Sequence, residues 1–262
     1  MSVKLSVCIV AYNNYKDIKN LLESMEKYTP STLSKTIYIV DNGSRISDSN
    51  EIDDFKNFIN NYSDVEYIDA LENVGFGKGH NQVLNVLDSE YHAIVNPDIV
   101  FCEDVFSKII NWMDVNEEVG MTIPLIVDEK GNRQEVYRRE LTVFDMFNRM
   151  FLKEAFKGRA KKHTMQDMDF EKPFDVPFGQ GSFLVVRTEL FQKLGGFDDN
   201  YFMYCEDADL CKRVNRVSKL IYYPNAKVIH KWEKGSHKNK TLLKYHINST
   251  IYYFKKWGWK IV

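Results

Sequence analysis

Short apolar runs that alternate with helix-forming segments constrain this chain more than any other feature. The run LSVCIVAY, residues 5 to 12, is almost continuously apolar, which is typical of a strand covered on both faces of a parallel sheet. A helix pattern follows it, with apolar residues at helical spacing: Ile18, Leu21, Leu22 and Met25. The cycle then repeats, with strands at 36–40, 65–69 and 91–95 and helices around Ile52, Phe55 and Ile59 and at 79–88. This alternation predicts a doubly wound α/β fold with a mostly parallel sheet.

Each of the four strands ends in a cluster of polar residues. In chain order the clusters are Tyr12-Asn13-Asn14, Asp41-Asn42-Gly43-Ser44, Glu72-Asn73-Val74-Gly75-Phe76-Gly77 and Asn96-Pro97-Asp98. Ligands of open α/β sheets bind beyond the carboxyl ends of the strands, so the four loops predict one shared binding site. Turn formation explains single residues such as Gly43 and Ser44, because Asn, Asp and Gly favour turns. It does not explain four clusters at the same end of four strands.

The glycine-rich loop GFGKGHN, residues 75 to 81, matches neither common phosphate-binding motif. The dinucleotide pattern needs a third glycine where His80 stands, and a P-loop needs Ser or Thr after Lys78, where Gly79 stands. Glycines still allow close approach of a ligand to the backbone, and a helix beginning near Gly79 would attract anionic groups. The loop therefore predicts a phosphorylated ligand and argues against a dinucleotide.

Three acidic residues, Glu206, Asp207 and Asp209, follow an aromatic run in GFDDNYFMYCEDADLCKRV at 196 to 214. Leu210, Val214 and Val217 lie at helical spacing after them, which predicts a helix beginning near Glu206. Acids in the first turn of a helix oppose its dipole, and this role alone could explain them. A carboxylate next to Phe202, Met203 and Tyr204 would also be partly desolvated, which raises its pKa towards the range of a general base. This stretch alone leaves both explanations open.

Length and charge narrow the class of protein. The 262 residues suffice for one large domain, or one domain with an appendage. The 35 Lys and Arg nearly balance 37 Asp and Glu, so nothing in the overall charge calls for a nucleic acid. Two segments are basic, 138–163 with a net charge of +5 and 231–262 with +7, on a body that carries about −14.

Cysteines and hydropathy predict a cytosolic location. The four cysteines form no C-x-x-C pair, and Cys8 lies inside a core strand, so a reduced chain is expected. No stretch approaches the ~18 apolar residues of a membrane span, and the N-terminus lacks a basic region followed by a long apolar one. We expect a protein that is neither exported nor threaded through a bilayer.

Taken together, the motifs AYNN, DNGS, ENVGFGKGHN, NPD, GQGSFLVVR and GGFDDNYFMYCEDADLC, with a late His230, resemble those of family 2 inverting glycosyltransferases of the GT-A fold. Within that family the chain is most similar to bacterial rhamnosyltransferases that build O-antigen or capsular sugars. The resemblance covers residues 3 to about 237, and is weaker over 138–163 and the last 25 residues. It implies a GT-A catalytic domain over 1–230, with a nucleotide-sugar-binding half at 1–98 and an acceptor half at 99–230. A C-terminal acceptor-side helical region and a basic aromatic tail, 231–262, complete the expected architecture.

The resemblance also assigns the donor site to the loops at the strand ends. The residues implied to bind the nucleotide sugar are Ala11, Tyr12, Asn13, Asp41, Asn42, Asn73, Gly75, Phe76, Gly79, Asn81, Asn96 and Asp98. Among them, Asp41 and the backbone near Tyr12 would hold the base, and Asn73, Gly75 and Gly79 would surround the ribose and the phosphates.

By the same resemblance, Asn96-Pro97-Asp98 takes the place of the family's Asp-x-Asp metal loop, and His230 that of its late metal-binding histidine. Mg²⁺ or Mn²⁺ at Asp98 and His230 would offset charge on the leaving diphosphate. Because Asn96 supplies no charge, the ion should be held less tightly than in the family pattern. Taken alone, His230 could equally be a structural histidine.

The resemblance gives Asp207 the role of general base, which takes the proton of the acceptor hydroxyl as the sugar leaves the diphosphate. Glu206 would orient the acceptor, Gly181, Ser182 and Tyr204 would lie on the acceptor side, and Asp209 would serve the helix.

The resemblance further implies transfer of rhamnose from dTDP-rhamnose to a saccharide on an undecaprenyl diphosphate carrier. A UDP-hexose donor, or a non-catalytic nucleotide-sugar-binding module, would use the same residues. Nucleotidyl transfer is disfavoured, because AYNN offers no glycine- and lysine-rich phosphate loop after the first strand. The identity of the acceptor, the linkage position and the oligomeric state stay open.

The two basic segments also contain aromatic residues, a combination that suits a lipid interface. Phe144, Phe147 and Phe151 recur among Arg149, Lys153 and Lys157, and the tail sets Tyr252, Tyr253, Phe254, Trp257 and Trp259 beside Lys255, Lys256 and Lys260. We expect peripheral binding to an anionic membrane on the cytoplasmic side, where a lipid-linked acceptor would lie. The competing interpretation makes these aromatic residues part of the core and the lysines its solvated rim.

Overall fold

A computed structural model describes residues 3–45, 49–148, 156–231 and 240–262. The strands of the main sheet are β1 (Val3–Ala11), β2 (Lys35–Asp41), β3 (Val65–Asp69), β4 (Ser89–Val95), β5 (Ile99–Phe101), β6 (Val119–Val127), β8 (Phe174–Asp175), β10 (Phe183–Arg187) and β11 (Lys219–His230). A separate two-stranded sheet pairs β7 (Tyr137–Arg138) with β9 (Phe178–Gly179). The α/β class expected from the sequence is confirmed.

The order of strands in the main sheet is β3-β2-β1-β4-β10-β6-β11-β5, and β8 pairs with the edge of β11. The first four strands are parallel, with Ala11 beside Asp41 and Asp41 beside Asp69. The carboxyl ends of β1, β2 and β3 are therefore level at one edge. Strand β10 runs antiparallel between β4 and β6, which brings the loop before Phe183 to that same edge next to Val95.

Nine helices occur in the described part of the chain: α1 (Tyr15–Tyr28), α2 (Ser49–Ile59), α3 (Phe76–Asn81), α4 (Val105–Asp114), α5 (Val143–Phe147), α6 (Lys157–His163), α7 (Thr188–Lys193), α8 (Glu206–Val214) and α9 (Lys240–Trp257). The apolar stripe of α1 is buried at Ile18, Leu21, Leu22 and Met25, as its spacing predicts. All four cysteines are free, and Cys8 lies in the core.

Two helix boundaries differ from the sequence prediction. The helix expected over 79–88 is α3, which begins at Phe76 and ends at Asn81, because Gly75 enters it with φ 93° and turns replace the helix after Asn81. Val217 was expected on the buried face of α8, but that helix ends at Val214 and the Val217 side chain is 64% exposed. In both cases the apolar spacing continues into turns, which spacing alone does not distinguish from a helix.

Candidate active site

Asp41 anchors the loop at the end of β2. Its Oδ2 accepts hydrogen bonds from the Tyr15 hydroxyl and, at 2.7 Å, from the Tyr67 hydroxyl, while its Oδ1 accepts one from the Ser44 N–H at 2.8 Å. Burial alone would raise the pKa of this carboxyl, but the bonds from Tyr15, Tyr67 and Ser44 outweigh it and the pKa is lowered. Asp41 is thus an oriented, ionised carboxylate at the sheet edge. No sequence pattern indicated the two tyrosines, which come from α1 and β3.

Asn42 and Asn73 hold the glycine loop in place. The Asn42 amide donates to Asn73 Oδ1 at 3.1 Å and to the Gly75 carbonyl at 3.2 Å, and its oxygen accepts from the Val74 N–H at 2.9 Å. Asn73 Oδ1 also accepts from the Gly75 N–H at 3.0 Å. The amide and the oxygen of the Asn42 side chain both form hydrogen bonds within the protein. Asn42 therefore contributes to a ligand site by shaping the loop.

Two glycines of this loop are required by close packing. A Cβ on Gly75 would lie 2.1 Å from the Phe202 carbonyl oxygen, and that oxygen accepts from the Phe76 N–H at 3.0 Å. A Cβ on Gly79 would lie 2.9 Å from the Val10 side chain. The glycine loop is therefore pressed between β1 and the segment around Phe202.

Two other residues assigned to the donor site also make contacts within the protein. Asn81 donates to the Phe197 carbonyl and to Asp199, both at 2.8 Å, and accepts from the Phe197 N–H at 2.9 Å. Asn13 adopts φ 57°, and its side-chain oxygen accepts from the Arg45 N–H at 2.7 Å. Asn81 links α3 to the loop before α8, and Asn13 links the ends of β1 and β2. Tyr12 is exposed beside Asn13, while Ala11 is buried and offers only its backbone, whose carbonyl accepts from Asn42.

Asp98 and His230 face each other. His230 Nε2 lies 3.3 Å from Asp98 Oδ2, and the Lys231 N–H donates to the Asp98 carbonyl at 3.0 Å. On the other side of the ring, His230 Nδ1 lies 2.8 Å from Gln134 Oε1, while the Gln134 amide nitrogen donates to the His230 carbonyl at 2.7 Å. A carbonyl can only accept, so the Gln134 amide orientation is fixed and its oxygen must face a donating Nδ1–H. In the neutral ring, Nε2 then points a lone pair at the carboxylate.

This pair fits a divalent cation. Two acceptors facing each other at 3.3 Å need a positive charge between them, either a proton on Nε2 or a metal ion. Asp98 Oδ1 is also buried without a hydrogen-bond partner among the described residues. No group of three His, Cys, Asp or Glu side chains suited to a metal occurs in the described part of the chain, so at least one further ligand would have to come from elsewhere. The sequence did not indicate Gln134.

Asp207 lies in the first turn of α8, against the glycine-entered loop before β10. Its Oδ2 accepts from the Gly181 N–H at 3.1 Å, and its Oδ1 lies 2.8 Å from the Ala208 N–H. A Cβ on Gly181 would approach the Asp207 Cβ to 3.2 Å, so a larger residue there would displace the carboxylate. The backbone thus fixes the position of this side chain.

Asp209 has a structural role that extends beyond its own helix. Its Oδ2 accepts from Arg213 at 2.7 Å within α8, and its Oδ1 contacts Trp257 Nε1 at 2.8 Å and Lys256 Nζ at 2.7 Å on α9. Fully buried, Asp209 joins the two helices rather than simply opposing a helix dipole.

Glu206 precedes Asp207 as the first residue of α8. Its side chain is buried, and burial, followed by the charge of Asp207, raises its pKa well above the ordinary value. Of the two adjacent acids, Glu206 is buried and Asp207 is partly exposed.

A cavity of about 300 Å³ is lined by the residues expected on the acceptor side. Its lining includes Phe76, Asn96, Gly181, Ser182, Tyr204, Glu206 and Asp207, together with Arg138, Gln180, Leu242 and His246, which the sequence reasoning did not single out. Four buried polar atoms of this lining have no hydrogen-bond partner among the described residues: Asn96 Oδ1, Gln180 Oε1, Ser182 Oγ and Glu206 Oε2. Buried polar atoms are nearly always hydrogen-bonded, so such a cluster indicates a polar ligand.

Helix α9 contacts each residue of the segment 201–205, which leads into α8. The pairs are Tyr201–Tyr252, Phe202–Tyr245, Met203–Ser249, Tyr204–His246 and Cys205–Thr250. Tyr204 and Cys205 adopt left-handed φ angles of 72° and 65°, which cost roughly 1–3 kcal/mol each for residues other than glycine. The contacts from α9 therefore hold a strained backbone immediately before Glu206 and Asp207.

Most tail aromatics are core residues, as in the competing interpretation. Tyr253 and Phe254 are buried, and Tyr252 and Trp257 pack against the core, whereas Trp259 is exposed. Lys256 pairs with Asp198 and Asp209, and Lys260 with Glu140. The tail residues chosen from the sequence are thus mostly unavailable to a membrane.

The middle basic segment is partly paired as well. Arg139 pairs with Asp167, and Arg159 with Asp145. Arg149, Phe151 and Lys153, like tail residues 232–239, lie outside the described residues. Phe144 is partly buried and Phe147 is exposed. Among the described helices none is long and apolar enough to cross a membrane.

The sequence profile described as "Glycosyl transferase family 2" matches residues 6–195, nearly three quarters of the chain. The match covers the donor-side loops and ends before α8. Solved structures support the same architecture: GalNAc-T7, solved with UDP, GalNAc and Mn²⁺, superposes with a TM-score of 0.68 at 16% identity over 95% of this chain. This chain spans about half, 48%, of that larger structure. The fold is the GT-A fold.

Two bacterial relatives align over most of the chain. Rhamnosyltransferase WbbL of Escherichia coli (strain K12) is 26% identical over 95% of this chain and 92% of its own length. The N-acetylglucosaminyl-diphospho-decaprenol L-rhamnosyltransferase of Mycobacterium tuberculosis (strain CDC 1551 / Oshkosh) is 26% identical over 88% of this chain and 76% of its own length.

Proposed function

This chain belongs to glycosyltransferase family 2 and is a glycosyltransferase, and we propose that it transfers rhamnose from dTDP-rhamnose, with inversion, to a saccharide on a lipid diphosphate carrier. The observation that carries the acceptor part is the cluster of unpartnered polar atoms beside Asp207. A sugar presents several hydroxyl groups, each able to donate and accept, and so matches such a lining. The names of both relatives support rhamnose, and the name of the Mycobacterium tuberculosis relative supports an isoprenoid diphosphate carrier.

In this proposal Asp207 is the general base. The acceptor hydroxyl attacks the anomeric carbon, its proton passes to Asp207, and the bond from that carbon to the diphosphate oxygen breaks, releasing the nucleoside diphosphate. The Gly181 N–H, 3.1 Å from Asp207 Oδ2, holds the carboxylate in one orientation. Fixing a base in this way saves the entropy of positioning it during the reaction.

Asp98 and His230 would hold Mg²⁺ or Mn²⁺, with Gln134 setting the histidine tautomer. When bound, the ion would supply Lewis-acid stabilisation of charge on the leaving diphosphate. A site with one carboxylate and one imidazole is incomplete for either ion, which leaves positions for diphosphate oxygens and water.

For the donor, we assign residues 1–98 to nucleotide-sugar binding. Asp41, an ionised and buried carboxylate at the end of β2, would accept a hydrogen bond from the base, while the loop from Asn73 to Gly79 would surround the ribose and the phosphates. A UDP-hexose would suit the same loop, because uracil and thymine present the same N–H donor. A non-catalytic binding module is the remaining alternative, and the cavity beside Asp207 argues against it.

The carrier would lie along α9, with the enzyme attached to the cytoplasmic face of the membrane. Leu243, Ile247 and Ile251 form an exposed ridge one helical turn apart, each between 37% and 41% exposed. Lys240, Lys244 and Lys255 are exposed on the same helix, so an apolar ridge has a basic border. The residues next to the ridge in sequence, Leu242 and His246, line the cavity with Asp207. An anionic lipid surface fits this ridge, and an undecaprenyl diphosphate sugar held there would reach the cavity.

The direct test incubates the protein with radiolabelled dTDP-rhamnose, UDP-glucose, UDP-galactose or UDP-N-acetylglucosamine, with and without a synthetic polyprenyl diphosphate sugar. We expect nucleoside diphosphate release that depends on the acceptor and is fastest with dTDP-rhamnose, and a product of inverted anomeric configuration by NMR. Transfer from a UDP-hexose alone would replace the donor assignment. Tight donor binding without any product would favour the binding module.

A further inference from the structure

We infer that Glu206 positions the acceptor as a neutral carboxyl group, donating a hydrogen bond to a sugar hydroxyl beside the one that Asp207 deprotonates. The inference rests on the proposed function, since it concerns the acceptor side of the same cavity. It divides the two adjacent acids: Asp207 is an acceptor of protons, and Glu206 is a donor of a hydrogen bond.

Geometry supports this division. Glu206 is the first residue of α8, its side chain is only 5% exposed, and its Oε2 is a buried atom without a hydrogen-bond partner among the described residues. It lines the cavity together with Asp207, Gln180 and Ser182. A buried carboxylate with an unpartnered oxygen would carry a large desolvation penalty, whereas a protonated one loses far less and gains a donor.

The charged and titratable neighbours favour the neutral form. On its own helix Glu206 is followed by Asp207, whose negative charge opposes a second one. Helix α3 packs against it, with the Gly77 Cβ position 3.7 Å from the Glu206 Cβ. That helix carries Lys78 and His80, and burial lowers the pKa of His80 to about 3, so its ring is neutral at pH 7.

Three other elements contribute titratable groups to the cavity. Arg138 comes from β7 and His246 from α9, and Cys205 and Tyr204 precede α8. With these groups in place, burial and then Asp207 still raise the pKa of Glu206 well above its ordinary value. A protonated carboxyl can donate a hydrogen bond from its O–H group to a hydroxyl oxygen of the proposed sugar substrate.

The role gives a specific order of variants. Gln is close to Glu in size and keeps a donor through its amide N–H, but it cannot ionise. Glu206→Gln should therefore stay within about 5-fold of wild type in kcat/KM for the acceptor. Glu206→Ala leaves the acceptor hydroxyl unpaired, which typically costs about 1–3 kcal/mol or roughly 5- to 150-fold, and the loss should appear in the acceptor KM. The donor KM should be unchanged in both variants.

The pH profile provides a second readout that a purely structural role would not move. In this inference Glu206 is protonated at neutral pH and ionises as the pH rises further. Wild-type acceptor affinity should fall along that alkaline limb, and Glu206→Gln should lack it. Glu206→Gln as impaired as Glu206→Ala would overturn the inference, because it would show that an ionised carboxylate is needed.

Difference infrared spectroscopy between wild type and Glu206→Gln reads the protonation state without any turnover. At pH 7 we expect a protonated-carboxyl C=O band that the Gln variant lacks. A carboxylate signal in its place would refute the neutral form even if rhamnose transfer proceeds. Conversely, absence of transfer from every donor with the neutral band present would reject the proposed function and leave the protonation state established. Thermal melting of each variant checks that it folds.

Discussion

The Nδ1 atom of His230 lies 2.8 Å from the side-chain oxygen of Gln134, and this contact determines what the opposite side of the ring can do. Gln134 also donates to the backbone carbonyl of the same histidine, so it cannot turn its amide over without losing that bond. Nδ1 must carry the proton, and Nε2 faces Asp98. A glutamine outside every recognised motif thus orients the histidine of the metal pair that we propose.

Removing the metal should inactivate the enzyme. EDTA should abolish transfer, and excess Mg²⁺ or Mn²⁺ should restore it, because two protein ligands hold an ion loosely. Asp98→Ala should weaken donor binding and turnover together. Initial rates and donor titrations across a series of metal concentrations measure both. Full activity in chelator would show that protein cations neutralise the diphosphate instead.

Substituting Gln134 tests the tautomer argument without touching a ligand. Gln134→Met should lower the affinity for Mn²⁺ about 10- to 100-fold, measured by calorimetry in the presence of a nucleoside diphosphate. Gln134→Glu is the matched control, since its carboxylate still accepts from Nδ1–H and should preserve Mn²⁺ binding. Equal affinities in both variants and wild type would remove Gln134 from the metal site.

Asp207→Asn should cost about 10²- to 10⁴-fold in kcat while leaving the donor affinity within a few-fold, because it removes a proton acceptor and changes little volume. Asp209→Asn is the comparison of choice: it alters a buried acid of the same helix and should act mainly on thermal stability. Near-normal turnover of Asp207→Asn, measured under saturating acceptor, would move the base to water or to another residue.

The parts of this structure that the sequence predicted are those set by repeating local patterns. The apolar runs located β1 to β4 and α1, and the polar clusters after them lie together at one edge, because strand direction in a parallel sheet brings those loops together. Tyr15 and Tyr67 were not predictable as partners of Asp41, since they are distant from it in sequence and meet it only in the folded chain. Contacts at long sequence separation leave no periodic signal.

The tail shows the same limit from the opposite direction. Its aromatic and basic residues suggested a lipid interface, yet Tyr253 and Phe254 are buried and Lys256 forms ion pairs with Asp198 and Asp209. Composition does not indicate which face of α9 turns inward, because that depends on where the helix packs. The buried carboxylate of Asp209 contacts Lys256 and Trp257 of α9 and so helps to hold that helix against the body.

Acid should release part of the contact between α9 and the body through Asp198. Burial would raise the pKa of Asp198, but hydrogen bonds from Lys256 and Asn200 prevail and lower it to about 2. A folded pKa below the unfolded one stabilises the protein above the unfolded value, and this stabilisation is lost as the pH falls from about 4 to about 2. It amounts to roughly 2 kcal/mol at neutral pH.

Asp198→Asn should therefore lower the free energy of urea unfolding at pH 7 by about this amount, and by much less near pH 2. Asp169→Asn, which alters an exposed acid paired with Lys172, should have little effect at either pH. A loss for Asp198→Asn that is independent of pH would assign its effect to packing rather than to charge.

The exposed ridge of α9 should bind anionic membranes. Wild type should sediment with liposomes containing phosphatidylglycerol at low salt and less at high salt, because each lysine near such a surface contributes roughly 1 kcal/mol and is screened. Binding should fall at both salt concentrations when the ridge residues Leu243, Ile247 and Ile251 are all changed to Ser. It should fall at low salt when Lys240, Lys244 and Lys255 are all changed to Glu.

The control for the lysine variant changes Lys16, Lys27 and Lys56 of α1 and α2 to Glu. It has the same net charge as the lysine variant of α9, and it should bind as wild type does. If this control loses binding equally, the attraction is general and α9 has no special part. If wild type ignores anionic liposomes even at low salt, the carrier lipid must reach the cavity by another surface.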